Sequence, residues 1–340
     1  MTASGRGKLL VRGSINIDEF FVVPHIVRSG ETLSSTDFSR RAGGKGANQA
    51  VSAAKAGADA HFAGSIGEDG TWLRQTLEGY GVGVTLLHTD AQLSTGRAII
   101  QLSTSTADNS IVLNKGANFS LAAPPLSPPQ LSKYTHLLLQ NEIPLDETKR
   151  VLRDAHAAGL TTLLNPSPML TREELAAFEW SQLDWLVINE GEGEDLLLAL
   201  ADGVETGKGD AKALLGALRA TVLRALTGVI MTRGAEGVVA SLRGGEVVEV
   251  GPGKVVGEVK DTTGAGDCFT GFFATLLSTL PRDEALSPAT LASVLSIACQ
   301  AAAMCVEKHG AMESVPTLKD VKERMGAQWD EGRPWESLRA

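Results

Sequence analysis

The sequence predicts an α/β protein: a mostly parallel central sheet with helices on both faces, and a small β layer projecting from it. Three observations carry this. Short apolar runs at 136–140, 161–165, 185–189 and 228–232 alternate with helical stretches at about 146–158, 190–201 and 209–226. That alternation is the pattern of a parallel sheet covered on both sides. Extended segments rich in Gly, Ser and Thr, before residue 45 and around 96–114, break the alternation and read as the separate β layer. Finally, apolar residues make up 43% of 340, which supports a large core and argues against disorder.

Taken in order, the chain opens with a strand over Lys8–Arg12 and a second extended run over Glu19–Val23, ended by Pro24. The polar segment from Glu31 to Arg41 has no helical stripe. The small residues from Ala47 to Ala56 predict a closely packed helix, with Gly57 as its stop. A strand follows at His61–Ser65 and a helix at Asp69–Glu78. Strands at Gly96–Leu102 and Ser110–Asn114 flank a polar turn at Asp108-Asn109. The proline-rich stretch 124–129 is a connection, because strand and helix alternation resumes at once. After 228–232, a hairpin is expected from Gly237–Ser241 and Glu246–Val250 around Gly244-Gly245, then two apolar helices at roughly 265–280 and 287–307. The polar stretch 202–212 reads as a surface loop, and the charged tail as a surface helix plus a loose end.

Charge and cysteine content exclude several function classes. With 31 Lys+Arg against 40 Asp+Glu, the net charge of −9 argues against a nucleic-acid or general polyanion binder. Cys268, Cys299 and Cys305 form no CxxC pair, so neither a disulfide framework nor a zinc site is expected. The first ten residues lack a signal-peptide pattern and no run approaches ~18 consecutive apolar residues, so the expectation is a soluble cytoplasmic protein without a membrane partner. Glycine stands at 37 residues, above the ordinary share of ~7%.

The strongest local signal is Asp261-Thr-Thr-Gly-Ala-Gly-Asp267, running into the apolar helix. A glycine-rich turn that opens a helix presents free backbone N–H groups at the positive end of the helix dipole, a cradle for an anion. Asp267 lies in the first helical turn beside that cradle, where a carboxylate suits removal of a proton from a hydroxyl nucleophile. A capped helix after a tight turn would explain the glycines alone. It does not explain the two flanking aspartates. The second signal is Gly43-Gly-Lys-Gly-Ala-Asn48. It lacks the spacing of a P-loop, yet its glycines allow close backbone approach, and Lys45 and Asn48 suit sugar hydroxyls. Polar or glycine-rich groups follow several further strands: Asn16 and Asp18, Asn141-Glu142, Asn189, and Thr232-Arg-Gly-Ala-Glu-Gly237. In a doubly wound sheet the strand C-termini share one rim, where ligands bind.

On these two glycine motifs, and on Gly13-Ser-Ile-Asn-Ile-Asp18 and Gln140-Asn-Glu-Ile-Pro144, the chain resembles the ribokinase family of carbohydrate kinases, the PfkB-type sugar and nucleoside kinases, over about residues 8–316. The resemblance implies a three-layer α/β/α kinase domain over 1–316, with lid segments at about 17–42 and 96–116, and a C-terminal surface tail at 317–340. It implies transfer of the ATP γ-phosphoryl group to the 5-hydroxyl of D-ribose, with Asp267 as base and the amides of Gly264, Ala265 and Gly266 stabilising the moving group. Sugar contacts would come from Asn16, Ile17, Asp18, Gly44, Lys45, Gly46, Ala47, Asn48 and Glu142. The nucleotide would meet Asn189, Thr232, Arg233, Gly234, Ala235, Glu236 and Gly237, with Gly266, Asp267 and Cys299. Cys299 stands where such kinases often have Asn. Glu192 would support Mg²⁺ through water. A monovalent cation, usually K⁺, would sit against Asp261, Thr263, Cys305, Lys308, Gly310 and Ser314. Two lids would pair into a homodimer. Another pentose, ketose or nucleoside specificity on the same scaffold is the alternative; a catalytically silent sugar-binding regulator is a third reading, opposed by the intact Asp267 motif.

Overall fold

A computed structural model describes residues 7–340 except 107, 202, 205, 206, 208, 283, 330–334 and 336–340. Its strands are β1 (Lys8–Arg12), β2 (Asn16–Val23), β3 (Asp37–Gly43), β4 (Asp59–Gly67), β5 (Gly83–Asp90), β6 (Gly96–Ser103), β7 (Asn109–Asn114), β8 (His136–Leu139), β9 (Thr161–Leu164), β10 (Trp185–Asn189), β11 (Gly228–Thr232), β12 (Val238–Leu242) and β13 (Val247–Val250). The helices are α1 (Lys45–Lys55), α2 (Thr71–Gly79), α3 (Pro128–Leu131), α4 (Leu145–Ala157), α5 (Arg172–Ala176), α6 (Glu190–Leu200), α7 (Ala211–Arg219), α8 (Ala265–Ser278), α9 (Pro288–Cys305) and α10 (Leu318–Met325).

Nine strands form one sheet in the order β13-β12-β11-β10-β9-β8-β1-β4-β5. From β11 to β5 every neighbour is parallel, and the β12–β13 hairpin adds an antiparallel end. Strand residues alternate between two apolar layers, as the two-residue period requires. Leu9 and Val11 join the layer of α1, α8 and α9, whereas Leu10 joins that of α4, α6 and α7. This confirms the α/β reading, with helices on both faces. A second sheet, β3-β2-β6-β7, is built from the two segments that broke the alternation. β2 pairs antiparallel with β3 and parallel with β6.

Four details differ from the sequence reading. β5 falls where no element was expected; it is an edge strand with a mixed burial pattern. The stretch 209–226 is not one helix: α7 ends at Arg219, and Thr221 caps a separate 3₁₀ turn by accepting from the Leu223 N–H. The loop expected at 202–212 lies partly outside the described residues and already gives way to α7 at Ala211. Over its described residues the tail is not a surface appendage, and most of the loose end expected after it lies outside them. Thr317 caps α10, which buries Leu318, Val321 and Met325, and beyond it Trp329 and Trp335 lie in the same core as α8 and α9. Charged residues at 319, 320, 322–324 masked this helical stripe in the sequence. α9 is long and apolar enough to cross a membrane by length and composition; its apolar face is instead core of the sheet's α8 side.

Candidate active site

The parallel strands end on one rim, and several of the predicted residues lie there. Asn189 closes β10, Thr232 closes β11, and α8 opens nearby with its N-cap Gly264 in the left-handed region at φ 79°. A cavity of about 130 Å³ on this rim is lined by Lys45, Asn189, Glu192, Thr232, Gly266 and Asp267, among others. Three separate sequence motifs thus meet in one space.

Asp267 occupies the third position of α8 and is 8% exposed. Its Oδ2 accepts from Asn48 Nδ2 and its Oδ1 from Gln49 Nε2, both at 2.9 Å. Gln49 is itself oriented: its Nε2 also donates to Asn165 Oδ1 at 3.0 Å, and its Oε1 accepts from Gln140 Nε2 at 2.5 Å. This chain of amides, of which Asn48, Gln49 and Gln140 are buried, holds the carboxylate in a single orientation. Sequence reasoning named Asp267 and Asn48 but missed Gln49, Gln140 and Asn165. Gln49 directly follows the Gly43–Asn48 motif and Gln140 opens the quoted Gln140–Pro144 segment, so that proximity was the available signal.

The anion cradle differs from expectation in one amide. Ala265 N–H donates at 3.3 Å to the Thr262 carbonyl, which leaves Gly264 and Gly266 as the better presented pair. The two glycines have different surroundings. A Cβ at Gly264 would meet the Ala311 backbone at 2.9 Å, in addition to the strain of positive φ. A Cβ at Gly266 would meet nothing within 4 Å. Packing therefore does not require glycine at 266, which lines the cavity. Gly266→Ala is expected to fold as well as the parent, since alanine favours a helix by up to ~1 kcal/mol over glycine. Its turnover should nonetheless fall about 10- to 100-fold through displaced phosphoryl groups; thermal denaturation beside steady-state kinetics checks both halves.

The residues expected to meet the sugar form a second connected group. Glu142 Oε2 accepts from Ser14 Oγ at 2.5 Å and from the Lys45 N–H at 2.9 Å, so the carboxylate caps the start of α1. Asn16 Oδ1 accepts from Asn118 Nδ2 at 2.7 Å, and Asn118 Oδ1 accepts from the Ile15 N–H. Asn118 therefore fixes the Asn16 amide with its NH₂ turned the other way. Asn118 has no motif around it and comes to the site only through the turn after β7. Asn118→Ala should raise the KM for the sugar about 10-fold with kcat nearly unchanged, since loss of one positioned hydrogen bond costs ~1–1.5 kcal/mol; a change in kcat alone would contradict this.

The glycines at 43, 44 and 46 were expected to bring backbone up to a ligand. Here packing already requires them. A Cβ at Gly43 would strike the Asp18 carboxylate, one at Gly44 (φ 90°) the Ile15–Asn16 backbone, and one at Gly46 the Gly13–Ser14 backbone. The Ile17 and Ala47 side chains are fully buried and serve the core. Asp18 is the electrostatic exception of the site: burial, then Glu142 and Glu313, push its carboxyl up to about 7. Its Oδ1 is buried without a hydrogen-bond partner, which is costly unless a donor arrives.

The remaining predictions divide. Asn189 and Glu192 form a reciprocal capping box: Asn189 Oδ1 accepts from the Glu192 N–H at 2.9 Å and Glu192 Oε2 from the Asn189 N–H at 3.0 Å. Helix capping alone accounts for part of this pair, although both also line the cavity. Arg233 braces the adjoining turn through Glu249 Oε1 at 2.9 Å and the Glu236 carbonyl at 3.0 Å. Gly234 and Gly237 have φ of 54° and 87°, and Ala235 and Glu236 are exposed. Cys299 is not brought to the cavity. It is buried in α9 among core side chains, and burial pushes its thiol up to about 12.

Behind the cradle, Asp261 joins two loops. Its Oδ1 accepts from the Thr263 N–H at 2.9 Å and its Oδ2 from the Gly310 N–H at 3.0 Å. Burial alone would raise this carboxyl, but those donors outweigh it and hold it below its usual value. Cys305 Sγ and Ser314 Oγ are 2.9 Å apart and both residues are buried, the Lys308 N–H donates to the Cys305 carbonyl at 3.2 Å, and the Lys308 side chain is exposed. Among the described residues no cluster of three or more His, Cys, Asp or Glu could hold a metal.

A helix N-terminus facing a cavity, with an oriented carboxylate and a lysine beside it, defines a site for phosphoryl transfer to a hydroxyl. The chain belongs to the pfkB family of carbohydrate kinases, whose family model matches residues 6–318. It is 35% identical over 324 residues to the ribokinase of Haemophilus influenzae, covering 94% of this chain and 98% of that one. Its structure superposes on that of ribokinase from Cryptococcus neoformans var. grubii serotype A in complex with ADP, with a TM-score of 0.84, 45% identity, and coverage of 94% and 99%. Arabidopsis thaliana ribokinase complexed with ribose and ATP gives a TM-score of 0.78 at 29% identity, with coverage of 95% and 99%.

Proposed function

We propose that this kinase transfers the γ-phosphoryl group of ATP to the 5-hydroxyl of D-ribose, with Asp267 taking the hydroxyl proton. The observation that carries the reading is the Asp267 carboxylate, held by two amides at the opening of α8 and facing the same cavity as Lys45. Such a reaction asks the protein for positioning and charge stabilisation rather than covalent chemistry. Asn16, Asp18, Lys45, Asn48 and Glu142 hold sugar hydroxyls: donors and acceptors alternate here, as a polyol needs. Gly264 and Gly266 turn their amides toward the transferring group. Thr232 and the turn to Gly237 take the nucleotide, with Asn189 on its phosphates.

Mg²⁺ would travel with ATP and neutralise phosphate charge, and Glu192, whose second carboxylate oxygen is not used in its cap, would hold its water shell. The Asp261 carboxylate and the carbonyls of the 305–314 loop are hard oxygen donors, which fit K⁺ rather than a thiol-seeking metal. The kinase domain runs past the expected boundary at 316 to take in α10 and Trp329, with the small sheet as a lid. Phe38, Ile99, Ile111, Val112 and Leu113 are exposed on that sheet, and an uncovered apolar sheet favours pairing with a second copy. A cytoplasmic homodimer follows from this reading.

A coupled ADP-release assay over ribose, deoxyribose, fructose and nucleosides, with and without K⁺, tests it. Ribose should give the highest kcat/KM, and K⁺ should raise it. Preference for fructose or a nucleoside would overturn the assignment.

A further inference from the structure

The helix that begins at Lys45 ends at Lys55, and this second lysine is placed unusually. Its ammonium donates to two backbone carbonyls, those of Met312 and Val315, each at 2.8 Å. It also lies 4.8 Å from the centre of the Tyr80 ring. Among the described residues it forms no ion pair. A half-buried ammonium satisfied only by carbonyls and a ring face is a poor use of a lysine for stability alone, because burial and then the neighbouring Lys308 charge both disfavour its protonated form.

The loop it grips explains the placement. Gly310, at one end, donates to Asp261 Oδ2. Ala311, the next residue, packs so tightly on Gly264 that no Cβ fits between them. Ser314 Oγ donates to the Ala311 carbonyl at 3.0 Å. The loop 310–315 is thus the back wall of the phosphoryl cradle, and Lys55 is the only side chain of α1 hydrogen-bonded to it among the described residues. α1 also carries Asn48 and Gln49, which orient Asp267.

We propose that Lys55 is a positioning residue for phosphoryl transfer: its ammonium acts as a built-in monovalent cation that fixes the loop 310–315 and so holds the Gly264–Gly266 amides in register with Asp267. The proposal rests on the kinase reading of the site. It makes Lys55 the fixed counterpart, at one end of the loop, of the exchangeable cation placed at the Asp261 end.

The test uses Lys55→Met, which keeps the apolar stem, with Lys55→Arg and Lys55→Ala. For Lys55→Met, kcat should fall about tenfold or more, because displacement of reacting groups by a fraction of an ångström is that costly. The ribose KM should stay within about twofold. Amide hydrogen exchange at Gly264 and Gly266, read without substrates, should quicken in the same variant. Lys55→Arg should restore both, and propylammonium should restore turnover of Lys55→Ala where propanol does not. Wild-type kcat and exchange in Lys55→Met would overturn the proposal. So would a loss in kcat that merely follows a fall in Tm and is not recovered by Arg or propylammonium. If the parent protein phosphorylates no sugar, the kinase reading fails, and the exchange measurement still decides whether Lys55 holds the cradle.

Discussion

Asp267→Asn is expected to keep the fold and both substrate affinities while losing about 10²- to 10⁴-fold in kcat, the usual worth of a positioned general base. The structure makes this a clean substitution. Asn48 and Gln49 each donate one N–H to the native carboxylate. An asparagine has one acceptor oxygen, so one of these two amides must rotate or lose its partner. That costs ~1–2 kcal/mol of stability, which denaturant unfolding can separate from the kinetic loss. The loss should appear in kcat and kcat/KM together, because the missing proton transfer matters only in the transition state. Turnover near the parent rate would mean that another group takes the proton.

The second large effect is a pH dependence set by Asp18. Its carboxyl is pushed up to about 7 by burial and by the neighbouring carboxylates Glu142 and Glu313. The folded protein thus holds a proton that the unfolded chain releases near pH 3.8. Between those two values stability falls as pH rises, since the folded state binds more protons there. Above pH 7 the full cost of ionising the group is present, on the order of 4 kcal/mol. A sugar hydroxyl donating to the orphaned Oδ1 would favour the ionised form. The ribose KM should therefore fall as pH rises through about 7, and binding near pH 6 should release a proton, measurable by calorimetry in buffers of different ionisation heat. Asp18→Asn should be more stable than the parent above pH 7 and should lose this KM dependence. A KM independent of pH between 6 and 8 in the parent would sink the assignment.

Most of the architecture was legible because it depends on periodicities that a linear sequence carries. The runs 136–140, 161–165, 185–189 and 228–232 are strands β8 to β11, paired parallel. The segments that did not alternate became the separate sheet. The failures have physical causes. β5 is an edge strand of mixed burial without a long apolar run. The stripe Leu318, Val321 and Met325 of α10 was outweighed by its charged neighbours, and Trp329 and Trp335 bury for reasons of tertiary packing.

Within the site, motif chemistry pointed to Asp267, Lys45 and Asn48, because glycine-rich turns and helix starts advertise themselves locally. It could not separate the roles of the glycines. Gly46 and Gly264 exclude a side chain because backbone from elsewhere lies against them, whereas Gly266 faces open space. Nor could it place Cys299, for which the family resemblance implies a nucleotide contact and whose surroundings are core.

By itself, then, the sequence determined the fold class, the family and the location of the Asp267 carboxylate at the opening of α8, since each is written in short-range pattern. Only the tertiary structure decided what holds that carboxylate, which carboxyl is driven toward neutrality, and how α1 grips the loop behind the cradle. Those properties come from burial and from contacts across 100 residues or more, such as Asn16 with Asn118 and Lys55 with Met312. Desolvation and hydrogen-bond geometry depend on distance in space, and sequence spacing does not encode it.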